Sequence, residues 1–397
     1  MDVAECIKRY NAGRDPERLR LKYAGMRPSA FAFLRGTCHL FYRRIPREAL
    51  RNKAPHAWAC GDLHLENFGT FKGGNRLIYF DINDFDEGSL APAPVDLLRL
   101  MTSVVIQARA VGLHARDISE LCATLIDSYA AALQKGSARW LERDTAEGEI
   151  QTLLDHLRDR RRIALLDERT ERRGKGRRLR IDGLKALPSA ERRREKILAF
   201  MQRFAETQAH PPFYKVIDVA RRVAGLGSLG VAREVILVEG NGSPDGNYLL
   251  DLKQSLPSSL SPRLKFRQPL WHTEAARVVA IQTRMQAVSP AFLHAVSLGK
   301  TSFVLRELQP REDRLRIDHH IATSSAAQAL RTMGQIIAWA QLRSSGRGGS
   351  ASADELIEFG ARRRWRRSQV ELAIESADCV EVDWRAYCQA FDDGVFA

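Results

Sequence analysis

Two short stretches concentrate side chains that could do chemistry. Residues 60–69 read CGDLHLENFG, and residues 80–88 read FDINDFDEG. Each follows or continues an apolar run, so each falls where a strand should be ending. Carboxylates and a carboxamide in such positions supply hard oxygen ligands for a divalent cation. A carboxylate held there can also take a proton from an attacking hydroxyl. The ordinary alternative is turn formation, because Asp and Asn cap turns and helices routinely. Turn chemistry accounts for one or two of these residues, but not for their order and spacing.

Asp62-Leu63-His64-Leu65-Glu66-Asn67 fits D-L-x-x-x-N, the catalytic-loop pattern of protein kinases. In that chemistry Asp62 accepts the proton of the attacking hydroxyl, and Asn67 binds a metal ion that bridges phosphates. Ile82-Asn83-Asp84-Phe85-Asp86 then fits the D-F-G position, and Asp84 would bind Mg²⁺. Asp81 competes for the metal role, and the I-x-D-F frame favours Asp84.

A glycine-rich loop follows much later: Gly225-Leu226-Gly227-Ser228-Leu229-Gly230. Alone, G-x-G-x-x-G is weak evidence and suits an ordinary hairpin. Here it precedes VAREVILVEG, which reads as a strand, so the loop joins two strands. That is the setting of a loop that covers ATP phosphates with backbone N–H groups. The next strand ends in LLDLKQS and carries Lys253, which could neutralise phosphate oxygens or simply snorkel to the surface. Glu274 opens the following helix. It is a candidate partner for Lys253, or an acidic residue placed for the helix dipole.

The elements that must position these groups can be read from periodicity. Residues 1–55 read as helical, HAWAC as a strand, and NFGTF and RLIYFDI as a hairpin around KGGN. Two apolar helices follow, VDLLRLMTSVVIQARAVGL and ARDISELCATLIDSYAAALQ. YKVIDVARRVAG, VAREVILVEG, NYLLDLKQS and SFVLRELQ alternate with period two, with a helix at TEAARVVAIQTRMQAV. The rest reads as two helices, AAQALRTMGQIIAWAQLRS and ADELIEFGARRRWRRSQVELAIESA, joined by a flexible SGRGGSASA. The division is therefore 1–150 with the catalytic and metal loops, 151–210 as a basic helical connector, 211–310 as a β-rich nucleotide-binding unit, and 311–397 as closing helices. The class is α+β.

The chain has 397 residues and 44% hydrophobic content, enough for two core-forming units. No apolar run reaches the ~20 residues of a membrane span. Its N-terminus lacks the apolar core of a signal peptide, and its six cysteines form no C-x-x-C pair. A cytoplasmic protein with reduced thiols is expected. Net charge is +14, and Arg158–Lys196 holds sixteen Lys or Arg against seven Asp or Glu. Such a run could bind nucleic acid, or could be a solvated helical face; it carries no interleaved aromatic residues for base stacking.

FLRGT, CGDLHLENFGTF, FDINDFDEG, PVDLLRL, RVAGLGSLG and LDLKQS together resemble a bacterial family, domain of unknown function 2252, over about residues 20–345. That family looks related to protein-kinase-like enzymes, especially aminoglycoside and choline kinases, whose loop reads H-G-D-x-H-x-x-N. The resemblance implies a two-lobed kinase-like fold with a small antiparallel β lobe and a larger helical lobe. By position, Asp62 would be the base, His64 would support its loop, Asn67 and Asp84 would hold metal, and Asp96 would buttress the site. Cys60 stands where those enzymes have His, and Asp86 where D-F-G has Gly. The glycine-rich loop follows the catalytic loop rather than preceding it, which implies a circular permutation. SFVLREL would then lead through a hinge to a helix at Leu330–Arg343 that packs beneath the catalytic loop.

The main expectation is an ATP- and Mg²⁺-dependent phosphotransferase acting on a small-molecule hydroxyl acceptor. A metal-dependent phosphoesterase is the alternative, drawing on these acidic clusters and on Asp318-His319-His320. A third reading is a non-catalytic nucleotide- or nucleic-acid-binding protein. The acceptor and the oligomeric state have no readable code.

Overall fold

The protein is described by a computed structural model that covers residues 2–50, 54–159, 162–309 and 322–396. Asp318-His319-His320 lies outside the described residues. Five helices open the chain: α1 (Val3–Asn11), α2 (Pro16–Met26), α3 (Ala30–Gly36), α4 (Cys38–Arg44) and α5 (Arg47–Leu50). Asp2, Asp15 and Ser29 start the first three by accepting the backbone N–H groups of Glu5, Arg18 and Ala32. Those bonds satisfy donors that a helix start otherwise leaves orphaned.

Strand β1 (His56–Ala59) is followed by the hairpin β2 (Phe68–Lys72) and β3 (Ile78–Ile82), then β4 (Ser89–Pro92). β1 pairs antiparallel with β4, and β2 with β3. β4 escaped the sequence reading because its proline end reads as a loop. The apolar helices α6 (Val95–Ala110) and α7 (Ala115–Lys135) come next.

The segment 151–210 differs from the helical connector expected. Besides α8 (Gly148–Asp159) and α9 (Arg162–Arg169) it forms β5 (Thr170–Arg173), β6 (Gly176–Leu179), β7 (Ala186–Leu187) and α10 (Glu191–Glu206). Much of its positive charge is paired. Arg177 meets Asp167 and Asp245, Arg193 meets Glu234, and Arg194 meets Asp218. These arginines hold the segment against the next unit instead of presenting a bare basic stripe.

That unit contains β8 (Val216–Arg222), β9 (Arg233–Val238), β10 (Tyr248–Gln254), α11 (Glu274–Met285), β11 (His294–Leu298) and β12 (Thr301–Glu307). With β7 they form a six-stranded antiparallel sheet in the order β11-β12-β10-β9-β8-β7. Period-two alternation works as expected. Ile236, Leu250 and Leu305 face Phe200 and Phe204 of α10, while Val235, Leu237 and Leu249 face Leu165 and Leu166 of α9. β11 lies outside the strands expected from the sequence, and its residues alternate between partly buried and exposed.

The remaining helices are α12 (Thr323–Ser344), α13 (Ala353–Ala361) and α14 (Arg364–Asp392). A single helix over 353–377 is expected from the sequence. It breaks at Arg362–Arg363, where Trp365 and Arg366 side chains donate to the Phe359 and Gly360 carbonyls that a continuing helix would have used. The glycine-rich connection before α13 is pinned to β1 by Ala351 N–H on His56 and by the Trp58 indole on Arg347. One large apolar cluster joins α1–α4, β1, α6, α7 and α11–α14, with Phe33, Trp58, Leu100, Leu125, Ile281 and Ile337 inside it. The fold is α+β, and no helix among the described residues is long and apolar enough to cross a membrane.

Helix α12 lies close against α7 because Gly334 has no side chain. A Cβ there would fall 2.3 Å from Ser128 Oγ and 2.4 Å from the Leu125 carbonyl. Gly334→Val should therefore cost about 3 kcal/mol or more by overpacking. Urea unfolding of wild type and variant measures it, and an unchanged midpoint would contradict this packing.

Candidate functional site

β1 delivers the chain to Cys60 and Gly61, and the turn needs glycine. Gly61 has φ +82°, and a Cβ there would strike the Glu87 carbonyl at 2.2 Å. Asp96, in the first turn of α6, accepts the N–H groups of Cys60 at 2.8 Å and Gly61 at 3.0 Å. Burial raises the Asp96 carboxyl to about 6, against the pull of those two N–H groups.

Asp62 emerges from this clamp. The Arg99 guanidinium, fully buried and one turn after Asp96 on α6, donates from Nε to Asp62 Oδ1 at 2.7 Å. It also donates to the Leu34 carbonyl at 2.9 Å and lies over the Phe41 ring. Burial and the nearby Asp84 raise the Asp62 pKa above the ordinary carboxylate value, while Arg99 limits the rise. Asn67 closes the loop by donating from Nδ2 to the Asp62 carbonyl at 2.5 Å. Its Oδ1 has no hydrogen-bond donor among the described residues. Buried His64 packs edge-on to Phe31 and lines the same cavity as Asp62.

The hairpin carries the chain from Asn67 to the second acidic stretch. Phe68 is opposite Ile82, and Asn83 N–H donates to the Asn67 carbonyl at 2.9 Å. This register brings Asn67 and Asp84 to one cavity. Asp84 and Asp86 both pair with Lys253 of β10, Asp84 at 3.6 Å and Asp86 more closely. Burial pushes the Asp84 pKa up, but Lys253 and Arg306 outweigh it and hold the carboxyl below its ordinary value. Asp81 goes elsewhere. It is buried beneath the hairpin, 3.5 Å from Arg343 and bonded to the N–H groups of Ile82 and Ala287.

The glycine-rich loop connects β8 to β9. Gly225 and Gly230 take φ of +73° and +88°, and a Cβ on Gly227 would lie 4.0 Å from Asp62 Oδ2 and 3.0 Å from the Arg35 carbonyl. The loop tip therefore stands over Asp62. Ser228 Oγ turns back to the Gly225 carbonyl. Lys22, buried in α2, donates to the Gly227 carbonyl at 2.9 Å, and Arg14 does so at 3.3 Å. Asp62, His64, Asn67, Asp84, Gly225, Gly227 and Ser228 thus line one cavity of about 100 Å³. Gly230 lies outside it, its carbonyl taking the Asp15 N–H.

Glu274 does not meet Lys253. Its carboxylate pairs with Arg277 at 2.7 Å. Arg277 in turn donates to the carbonyls of Gly88, Asp86 and Leu256, tying α11 to both loops. The partner expected for Lys253 is supplied instead by Asp84 and Asp86.

On the far side of Asp84 a second cavity of about 100 Å³ is lined by Lys253, Arg222, Arg233, Asp251 and Glu307–Gln309. Asp251 binds Arg222 at 2.8 Å and Arg233 at 2.6 Å. Asn83 Nδ2 is buried at this wall with no partner among the described residues. Arg99, Lys22 and Arg277 were not singled out in the sequence. For Arg99 a signal exists: it and Asp96 are the only charges between Val95 and Ala108. Among the described residues no three His, Cys, Asp or Glu side chains form a ready metal cage.

Burial raises the Glu87 carboxyl, on the same cavity, to about 7 against an ordinary 4.5. A raised folded-state pKa gives stability that is present below the unfolded value and lost as pH climbs through the folded one. Wild type should lose this contribution between pH 4.5 and 7. Glu87→Gln cannot titrate, so its Tm relative to wild type should climb across that window. A constant Tm difference would contradict the burial of this carboxyl.

No curated protein and no solved structure matches the chain. A family model does match, over residues 14–390, and its description reads "Uncharacterized protein conserved in bacteria". The match spans the clamp at Asp96, both acidic loops, the glycine-rich loop and Lys253, and the chain belongs to the DUF2252 family.

Proposed function

We propose that the protein is a Mg²⁺-dependent phosphotransferase that moves the terminal phosphoryl group of ATP to a hydroxyl acceptor. One observation carries the reading: a glycine-rich loop between two strands stands over Asp62 on a cavity that also holds Asn67 and Asp84. Lys253, on the second strand after the loop, contacts Asp84. Phosphoryl transfer needs these parts, because its catalysis is mostly positioning and charge neutralisation.

The strand pattern supports a kinase-like small lobe. Its sequence is strand, glycine-rich loop, strand, lysine strand, helix and two further strands, with the last, β12, beside the lysine strand and β11 at the edge beyond it. In the chain this unit follows the catalytic loops, so the reading requires a circular permutation. Helix α12 then completes the other lobe, and Gln341 donates to the Ala93 carbonyl just before α6.

Asn67 and Asp84 would hold Mg²⁺, which takes one or two protein ligands and completes its shell with phosphate oxygens and water. The fit rests on hard oxygens alone: Asp84 is held ionised, and Asn67 Oδ1 has no donor among the described residues. When bound, the ion would neutralise charge on the phosphates. Asp62 Oδ1 is occupied by Arg99, so Oδ2, facing the glycine-rich loop, would take the hydroxyl proton. Asn83 Nδ2 and Lys253 would meet phosphate oxygens. The base would lie toward Glu307–Gln309, with Arg222 and Arg306 as guanidinium planes that can stack on it. Each cavity is smaller than a nucleotide, so binding would lift the glycine-rich loop away from Lys22 and Arg14.

Thermal unfolding with and without Mg-ATP tests the reading. Specific binding stabilises the native state by about 2.7 kcal/mol at a hundredfold excess over Kd. Wild type should shift upward, and Asp84→Ala should lose the metal-dependent part. No shift at millimolar Mg-ATP, or an equal shift in Asp84→Ala, would contradict it.

A further inference from the structure

A wider cavity, of about 1010 Å³, adjoins the candidate catalytic cavity and shares Tyr10, Arg14 and Gln254 with it. Ligand pockets commonly enclose about 300–1,000 Å³, so a whole small molecule fits. Its wall is basic. Arg14, Arg43 and Arg263 line it, and none has a carboxylate partner among the described residues. Their hydrogen bonds go to the Gly227 carbonyl, Cys6 Sγ and the Tyr42 carbonyl, and Arg14 also lies over the Tyr10 ring. Such contacts satisfy N–H groups but leave the charges uncompensated. Glu87 reaches this wall through Ser259 Oγ at 3.1 Å and Tyr10 Oη at 3.4 Å.

His39 gives an independent sign of a ligand. It lines the cavity, is only 4% exposed, and neither ring nitrogen has a hydrogen-bond partner among the described residues. Its ring stacks on Tyr10 with centroids 3.8 Å apart. Burial, reinforced by Lys22, Arg43 and Arg14, lowers its pKa to about 2, so the imidazole is neutral. A neutral imidazole offers one donor and one acceptor, which is what a hydroxyl group can use. Leaving both unsatisfied in a buried place is costly.

We propose that this cavity is the acceptor site, and that it takes a hydroxyl compound bearing its own anionic group, either a phosphate monoester or a carboxylate. Arg43 and Arg263 would hold the anion, and His39 and Tyr10 would steer the hydroxyl end toward Asp62. The term acceptor rests on the phosphotransferase reading; the anion site does not. In the transfer, the hydroxyl oxygen bonds to the terminal phosphorus of ATP. The bond from that phosphorus to its bridging oxygen breaks, its electron pair leaves with ADP, and the hydroxyl proton passes to Asp62.

Titration calorimetry of the full chain without nucleotide tests the site, with glycerol 3-phosphate, glycerate and glycerol as probes. At least one anionic probe should bind wild type, and which one does so separates phosphate from carboxylate. Arg43→Ala/Arg263→Ala should weaken that binding at least tenfold. Arg43→Glu, at the exposed end of α4, should show the same loss if the double variant does not fold. His39→Phe keeps the stack on Tyr10 and should weaken binding severalfold. No binding of either anionic probe, or undiminished binding in the arginine variants, would overturn the proposal. Anion binding without any Mg-ATP stabilisation would instead sink the phosphotransferase reading and leave the anion site standing.

Discussion

The ion pair between fully buried Arg99 and partly exposed Asp62 is the constraint around which the rest is arranged. Arg99 is enclosed by Leu34, Phe41 and the clamp loop, and cannot be left unpaired without a cost of about 3–5 kcal/mol. Asp62 meets that need, and in doing so its position becomes fixed. Asp96, on the same helix, fixes the two residues before Asp62 through their N–H groups. Helix α6 thus acts as a jig: one turn holds both the loop backbone and the carboxylate. Since α6 sits in the main apolar cluster with α3, α7 and α12, packing energy spread over much of the chain holds this single side chain in place.

A second charge arrangement couples the sheet to this jig. Lys253 comes from the six-stranded sheet, while Asp84 and Asp86 come from the loop after β3. Arg277, steadied by Glu274, binds carbonyls on both sides of the same junction. The glycine-rich loop is likewise held from the helical side, by Lys22 and Arg14. These polar ties can exchange for bonds to a ligand, unlike the apolar contacts beneath them. In the proposed function, ligand binding would therefore act on the roof of the site rather than its floor.

How much of this the sequence carries depends on whether the information is local. Asp62 and Asn67 were legible because five positions of spacing build one loop, closed by the Asn67 side chain on the Asp62 carbonyl. β8, β9 and β10 were legible because their alternation matches two covered faces. Asp81 against Asp84 was decided by frame alone, and the structure separates them through Arg343, which lies far along the chain. Glu274 was the natural partner for Lys253 by helix position, yet the nearer acids Asp84 and Asp86 took that place. Such long-range pairings leave no periodic trace. The break before α14 was hidden for a similar reason: two side chains, not a proline or glycine, end α13.

The most direct test of the account is single-turnover release of the terminal phosphate of labelled Mg-ATP by wild type and Asp62→Asn. Both proteins should bind nucleotide, since Asp62 is assigned to the proton and not to the metal. Wild type should transfer the label, slowly to water when no acceptor is present. The variant should be slower by at least about a hundredfold, the lower range for loss of a general base. Undiminished turnover in Asp62→Asn would contradict the central claim that this clamped carboxylate takes the proton.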